Sequence, residues 1–142
     1  NGSGQLCTND TKNRSSPYQI PGTQWNYARP HGYYGFAALK TDGTLWMAGH
    51  NSYGTLGQND NLAARSSPIQ IPGTQWSLTN GGYGQQGGIK TDGTLWVWGY
   101  NNQGKLGLNQ TNVHRSSPTQ IPGTQWIDFA GNEITSVFLK SP

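Results

Sequence analysis

The chain is expected to be all-β, an array of short-stranded blades packed side by side, and three observations lead there. First, the text repeats with a period near 50. "RSSPYQIPGTQW", "RSSPIQIPGTQW" and "RSSPTQIPGTQW" end at Trp25, Trp76 and Trp126, and differ only at Tyr18, Ile69 and Thr119. A period of this length belongs to propeller blades and similar arrays. Second, the 142 residues hold 21 Gly and 8 Pro, and only 11% are charged, against about 25% in an average domain. Long exposed helices, which carry charges on their wet face, do not fit. Third, Asp42-Gly43 and Asp92-Gly93 each precede a Leu-Trp run, the pattern of a hairpin and its outgoing strand.

Each unit can be followed in order. Arg-Ser-Ser-Pro opens it as a turn, and a short extended piece follows. The two prolines remove backbone donors, which suits an edge strand. After the tryptophan comes a loop that becomes extended as it reaches Lys40, Lys90 and Lys140. Asp-Gly is expected to form a type I′ turn, and "TLWMAG" or "TLWVWG" leaves it as a strand. A glycine-punctuated stretch such as "YNNQGKLGLNQTNVH" then leads to the next unit. Three or four short strands per unit result, as a blade requires. The approximate units are 1–49, which starts mid-repeat, 50–99 and 100–142, together one array over 1–142.

A blade hides its apolar face only against its neighbour, so the same side chains are needed at every interface. Trp25, Trp76 and Trp126 are the expected anchors, with Ile20, Ile71 and Ile121 beside them. Trp46 and Trp96, and the hairpin residues Asp42, Gly43, Asp92 and Gly93, complete the scaffold. The free position, Tyr18, Ile69 or Thr119, is less constrained by packing.

"ALKTDGTLWMAGHNSYGTLGQN", "GIKTDGTLWVWGYNNQGKLGLN" and the Arg-Ser-Ser-Pro blocks resemble the regulator-of-chromosome-condensation (RCC1) repeat family over nearly the whole chain. The resemblance implies a β-propeller, typically of seven blades with about 50 residues each. Fewer than three full repeats are present, which leaves a segment of a longer propeller, several chains closing a ring together, or a stack of the same blades. This sequence departs from the family in several places. The positions where the family commonly has histidine hold Gly35, Gln85 and Thr135. Ala48 stands where Trp98 stands later, and Cys7 stands where Gly57 and Gly107 stand.

Chemistry leaves little trace. His31, His50 and His114 fall in different parts of the repeat and share no metal-ligand spacing. Asp42 and Asp92 belong to the hairpins, and Asp10, Asp60, Asp128 and Glu133 form no recurring acid/base pair. The glycines never form a phosphate-binding Gly-x-x-x-x-Gly-Lys-Ser/Thr loop. Cys7 is the only cysteine, so neither an internal disulfide nor a cysteine metal site can form. No enzymatic activity, metal or cofactor is expected. The net charge of +3 is scattered, so no nucleic-acid stripe is visible. No apolar run approaches the 18 residues of a membrane span.

The segments between each tryptophan and lysine differ most: "NYARPHGYYGFAAL", "SLTNGGYGQQGGI" and "IDFAGNEITSVFL". Variable loops on a rigid frame are where binding residues sit, and Arg29, His31, Tyr33, Tyr34 and Tyr83 are the expected recognition surface. The expected function is a non-catalytic protein-binding or structural propeller module. Low charge and near-identical repeats place it outside the cell, as a virion-surface or secreted component. Its partner would be another protein or a surface glycan, with homo-oligomers through open blade edges. Through the resemblance, whose members include GTPase exchange factors and secreted bacterial inhibitors of β-lactamases, the alternative is an exchange-factor-like regulator of a small GTPase. No inserted wedge interrupts these repeats in support of that alternative.

Overall fold

The computed structural model describes residues 1–32, 35–61 and 63–142. Strands β1 (Trp25–His31), β2 (Gly35–Lys40), β3 (Leu45–Gly49) and β4 (Arg65–Gln70) form one antiparallel sheet in chain order. The second sheet repeats it with β5 (Trp76–Gly81), β6 (Gln85–Lys90), β7 (Leu95–Gly99) and β8 (Arg115–Ile121), and the third has β9 (Trp126–Gly131) and β10 (Ser136–Lys140). The register repeats as well: Ala37 faces Met47 and Ala38 faces Trp46, as Gly87 faces Val97 and Gly88 faces Trp96. This is the all-β blade array, a partial propeller. The Ser-Ser-Pro strands β4 and β8 are sheet edges, where a proline costs no ladder bond.

The hairpin differs from the expected type I′ turn. Gly43 N–H donates to Lys40 O at 3.1 Å and Lys40 N–H to Thr44 O at 2.9 Å. Of the Asp-Gly pair, only Gly43 takes a positive φ, +77°. The loop therefore has three residues, a type I turn closed by a left-handed glycine. The reason lies in the aspartate. Asp42 Oδ1 accepts from Thr44 N at 2.9 Å and Thr44 Oγ1 at 2.6 Å. Trp46 Nε1 in turn donates to Thr44 Oγ1 at 2.8 Å. The chain from Trp96 through Thr94 to Asp92 is the same, with distances of 3.0, 2.7 and 3.0 Å. Lysine completes the motif: Lys40 Nζ lies 4.8 Å from the Trp25 ring and 4.6 Å from Trp46. Lys90 Nζ sits likewise between Trp76 and Trp96. Each such contact contributes about 0.5–1 kcal/mol.

Sheets join through the same residues. Trp76 N–H donates to Gly43 O of the preceding hairpin at 2.9 Å, and Trp126 N–H to Gly93 O at 3.1 Å. The Trp76 ring is buried and meets Trp98 edge-on at 6.2 Å. Around them pack Ala37, Leu39, Leu45 and Met47 of the first sheet, with Leu56 and Ile71. A second core gathers Ile89, Leu95, Val97, Leu106, Ile121 and Phe129 at the next interface. Trp25 and Trp126 are half-buried, as is Ile20. The first strands of successive sheets, β1, β5 and β9, are stitched by side chains, Thr79 N–H donating to Tyr27 Oη at 2.7 Å and Asn80 Nδ2 to Phe129 O at 2.8 Å. Tyr18 is exposed, Ile69 packs against the first core, and Thr119 stands opposite Val97.

Two departures from the repeat turn out to be one. A Cβ at Gly57, whose φ is +64°, would stand 3.1 Å from Trp98 Nε1 and 3.4 Å from Trp98 Cδ1. Trp98 is fixed there by donating to Thr55 O at 3.0 Å. By repeat register, Cys7 and Ala48 occupy these two positions one unit earlier, and both are fully buried. Where the indole is missing, a thiol side chain fits, even at φ 58°. Gly57→Ala is expected to cost about 1–3 kcal/mol from overpacking and left-handed strain. In a Trp98→Ala background the overpacking part should vanish. A double-mutant cycle by urea denaturation measures this, and additive losses would contradict the contact.

Candidate functional site

The first turn of each blade and the loop after its third strand lie at the same end of the sheets. There β1 ends at His31, β2 begins at Gly35, and β3 and β7 run out into His50–Thr55 and Tyr100. These residues, apart from Asn51 and Gly54, line a cavity of ≈ 120 Å³ between the first two sheets together with Gly32, Tyr83 and Gly84. Its walls are mostly carbon. Tyr53 and Tyr83 are exposed at 46% and 40%, and Tyr53 lies 4.6 Å from Tyr100 and 4.8 Å from His114, ring to ring. Tyr100 stacks on His114 at 5.1 Å and carries the Lys105 ammonium at 4.6 Å. Lys105 Nζ donates to Glu133 O at 2.7 Å, which ties this loop to the third sheet. Burial lowers the Lys105 pKa, partly offset by Glu133.

His31 is the floor. It is 5% exposed, and its imidazole fills the space beside Gly35, where any Cβ would overlap the ring. Gln86 Nε2 of the next sheet is 2.9 Å from His31 Nδ1, while His31 Nε2 is buried with no hydrogen-bond partner among the described residues. Burial pushes the His31 pKa down to about 4; the Ala48 carbonyl opposes that fall, and His50 adds slightly to it. Gln85 bridges the second and third sheets at the same level, donating to Asn132 O at 2.7 Å.

The structure brings His31 and Tyr83 together. It puts Arg29 elsewhere, on an exposed stretch of β1 with its guanidinium 5.7 Å from the Tyr27 ring, beside a separate shallow hollow with Gln5 and Phe36. Tyr33 and Tyr34 lie outside the described residues. Sequence reasoning missed His50, Ser52, Tyr53, Thr55 and Tyr100, because it sought variation only between tryptophan and lysine. "GHNSYGTLG" against "GYNNQGKLG" shows the signal: four positions differ within a glycine-fixed frame, and all four face this end.

Ser52 Oγ lies 3.1 Å from His50 Nε2, but no carboxylate is among the described residues lining the cavity. Among the described residues no group of three or more His, Cys, Asp and Glu could hold a metal, and no helix is long and apolar enough to cross a membrane.

Residues 92–138 match the regulator of chromosome condensation (RCC1) repeat. This stretch carries an RCC1 repeat. No curated protein matches it. Its fold is similar to human WBSCR16, at 25% identity over 99% of this chain and 38% of that one, with TM-score 0.79. It is similar also to yeast RCC1 (Prp20) bound to Kap60, at 18% identity, 99% and 36% coverage and TM-score 0.81. A third is Prp20p from Saccharomyces cerevisiae, described with its binding to Gsp1p and histones, at 15% identity, 98% and 38% coverage and TM-score 0.78. The chain spans a little over a third of the length of each. Yeast RCC1, described in these structures with Kap60, Gsp1p and histones, corrects the expectation of an extracellular or virion location.

His31 gives the site a pH signature. Its folded pKa of about 4 lies below the ordinary 6.5, so the fold favours the neutral ring. That contribution is complete above pH 6.5 and is lost as pH falls toward 4, about 3 kcal/mol in all. Denaturant midpoints at pH 7.5 and 4.5 should differ more for the wild type than for His31→Asn; equal differences would mean the imidazole is not held neutral.

Proposed function

We propose that the chain is a non-catalytic protein-binding module of RCC1 type, which grips its partner at the end of the blades that carries His31, Tyr53, Tyr83 and Tyr100. The observation behind this is one rigid scaffold with an aromatic cavity at the end where its repeats diverge. Tyrosine offers contact area and a polar tip at small entropic cost, and aromatic anchors set in a pocket dominate protein interfaces. A protein is favoured over a glycan as partner because the similar yeast structures are of a protein that binds proteins.

Tyr53→Ala and Tyr83→Ala should each weaken cross-linked partner capture at least tenfold while thermal unfolding stays within a few degrees of the wild type. Capture that survives both changes would remove this face from the interface. Faster nucleotide release from an added small GTPase, reversed by the same changes, would turn the reading to the exchange-factor alternative.

A further inference from the structure

The loop that follows the third strand has one backbone shape in both four-stranded sheets. Ser52–Gly54 and Asn102–Gly104 are single tight turns, with Tyr53 and Gln103 both at φ 62°. Asn51 Oδ1 accepts from Leu56 N–H at 3.0 Å, and Asn101 Oδ1 from Leu106 N–H at 2.8 Å. Thr55 and Lys105 therefore leave the backbone at the same point, with φ −59° and −58°. Thr55 faces the gap between the first and second sheets, and Lys105 the gap between the second and third.

Lys105 fills its gap. It is 6% exposed, with its ammonium 4.6 Å from the Tyr100 ring and bonded to Glu133 O at 2.7 Å. Thr55 is too short to do so, and its hydroxyl turns back to donate to His50 O at 2.7 Å. The ≈ 120 Å³ cavity is the space left over. It has room for several waters, and so for the end of one long side chain. Its lining changes in step. Where the filled gap has Gln103 and Glu133, the cavity has Tyr53 and Tyr83, and the Tyr100 ring is matched by that of His50, each 50 residues earlier. The interface without its own lysine is thus the one with more rings around the gap. The cavity does not depend on a missing neighbour, since both its walls are four-stranded sheets of this chain.

We propose that this cavity takes the side chain of a lysine presented by the partner protein, its ammonium set among Tyr53, Tyr83 and His50 in the place that Lys105 takes one sheet later. The inference rests on the loop end being the binding face, and it names the chemistry that this face reads. A cation is drawn to the faces of aromatic rings, and more strongly once part of its water is shed. His31 beneath is kept neutral by its burial, so the floor adds no opposing charge. Lysine fits better than arginine. Its slender stem and point charge are what Lys105 shows next door, while a guanidinium fork meets no carboxylate among the described lining residues.

The probe is Nα-acetyl-lysine methylamide, titrated into the isotope-labelled chain and followed through the amide signals of Gly32, Thr55 and Gly84. It should give saturable shifts at this end. The Nε-acetylated probe, as long but uncharged, should bind at least tenfold more weakly. Thr55→Lys should fill the cavity from within and abolish the shifts. Tyr53→Gln, which installs what the next repeat already carries at the same φ, should weaken binding at least fivefold. Unfolding midpoints within a few degrees of the wild type show that both variants fold, and the comparison of the two probes needs neither variant. Equal binding of the two probes leaves an apolar slot and refutes the lysine. Shifts that survive Thr55→Lys refute the cavity as the site, and the lack of any saturable shift refutes the proposal outright. Partner capture separates this inference from the reading beneath it. Capture lost in Tyr53→Ala and Tyr83→Ala but unchanged in Thr55→Lys keeps the face and refutes the lysine, whereas capture indifferent to all three removes the face itself.

Discussion

Trp76 carries the join between two sheets on both its backbone and its side chain. Its amide is bonded to the Gly43 carbonyl of the preceding hairpin, its indole closes the apolar core of that sheet, and Lys90 rests on its face. Gly88 has no side chain because the ring lies against it: a Cβ there would stand 2.7 Å from Trp76 Cε3. A four-stranded sheet with one apolar face is unstable in water until something covers that face. Placing the cover and the hydrogen bond on one residue makes position and burial a single event. The cavity at the loop end inherits its shape from this, because both its walls are set by how the sheets meet.

Much of the fold was legible because repetition multiplies a weak local signal. One Asp-Gly is ambiguous, but two that lie 50 residues apart before Leu-Trp are not. The turn type was misread for a local reason: Thr44 draws Asp42 into an Asx contact that a two-residue turn has no room for. More telling is the dodecamer itself. Arg65–Gln70 and Arg115–Ile121 are strands, while the near-identical Arg14–Gln19 is in no sheet. Pairing, not propensity, decides what those six residues become.

The site was harder to read. His31 belongs to no repeated position, and nothing in the sequence says that its ring would lie in the void beside Gly35, four residues away. That pairing emerges only once β1 and β2 are in register, His31 opposite Gly35. Tyr53 and Tyr100 were overlooked inside a stretch that reads as scaffold because its glycines do not vary. Arg29 sits on the same variable segment as His31, but its guanidinium lies back along the strand against the Tyr27 ring on an exposed stretch of β1.

Cys7 and Ala48 lie 41 residues apart, as do Gly57 and Trp98, and each pair fills one volume. Units this alike in sequence invite genetic crossover between themselves. A crossover falling between the two members of a pair would set a thiol against an indole, which collide, or a glycine against an alanine, leaving an indole-sized hole. The chain can therefore gain or lose blades freely only where the cut spares both halves of such a couple, and the interior, rather than the surface, sets where those seams can fall.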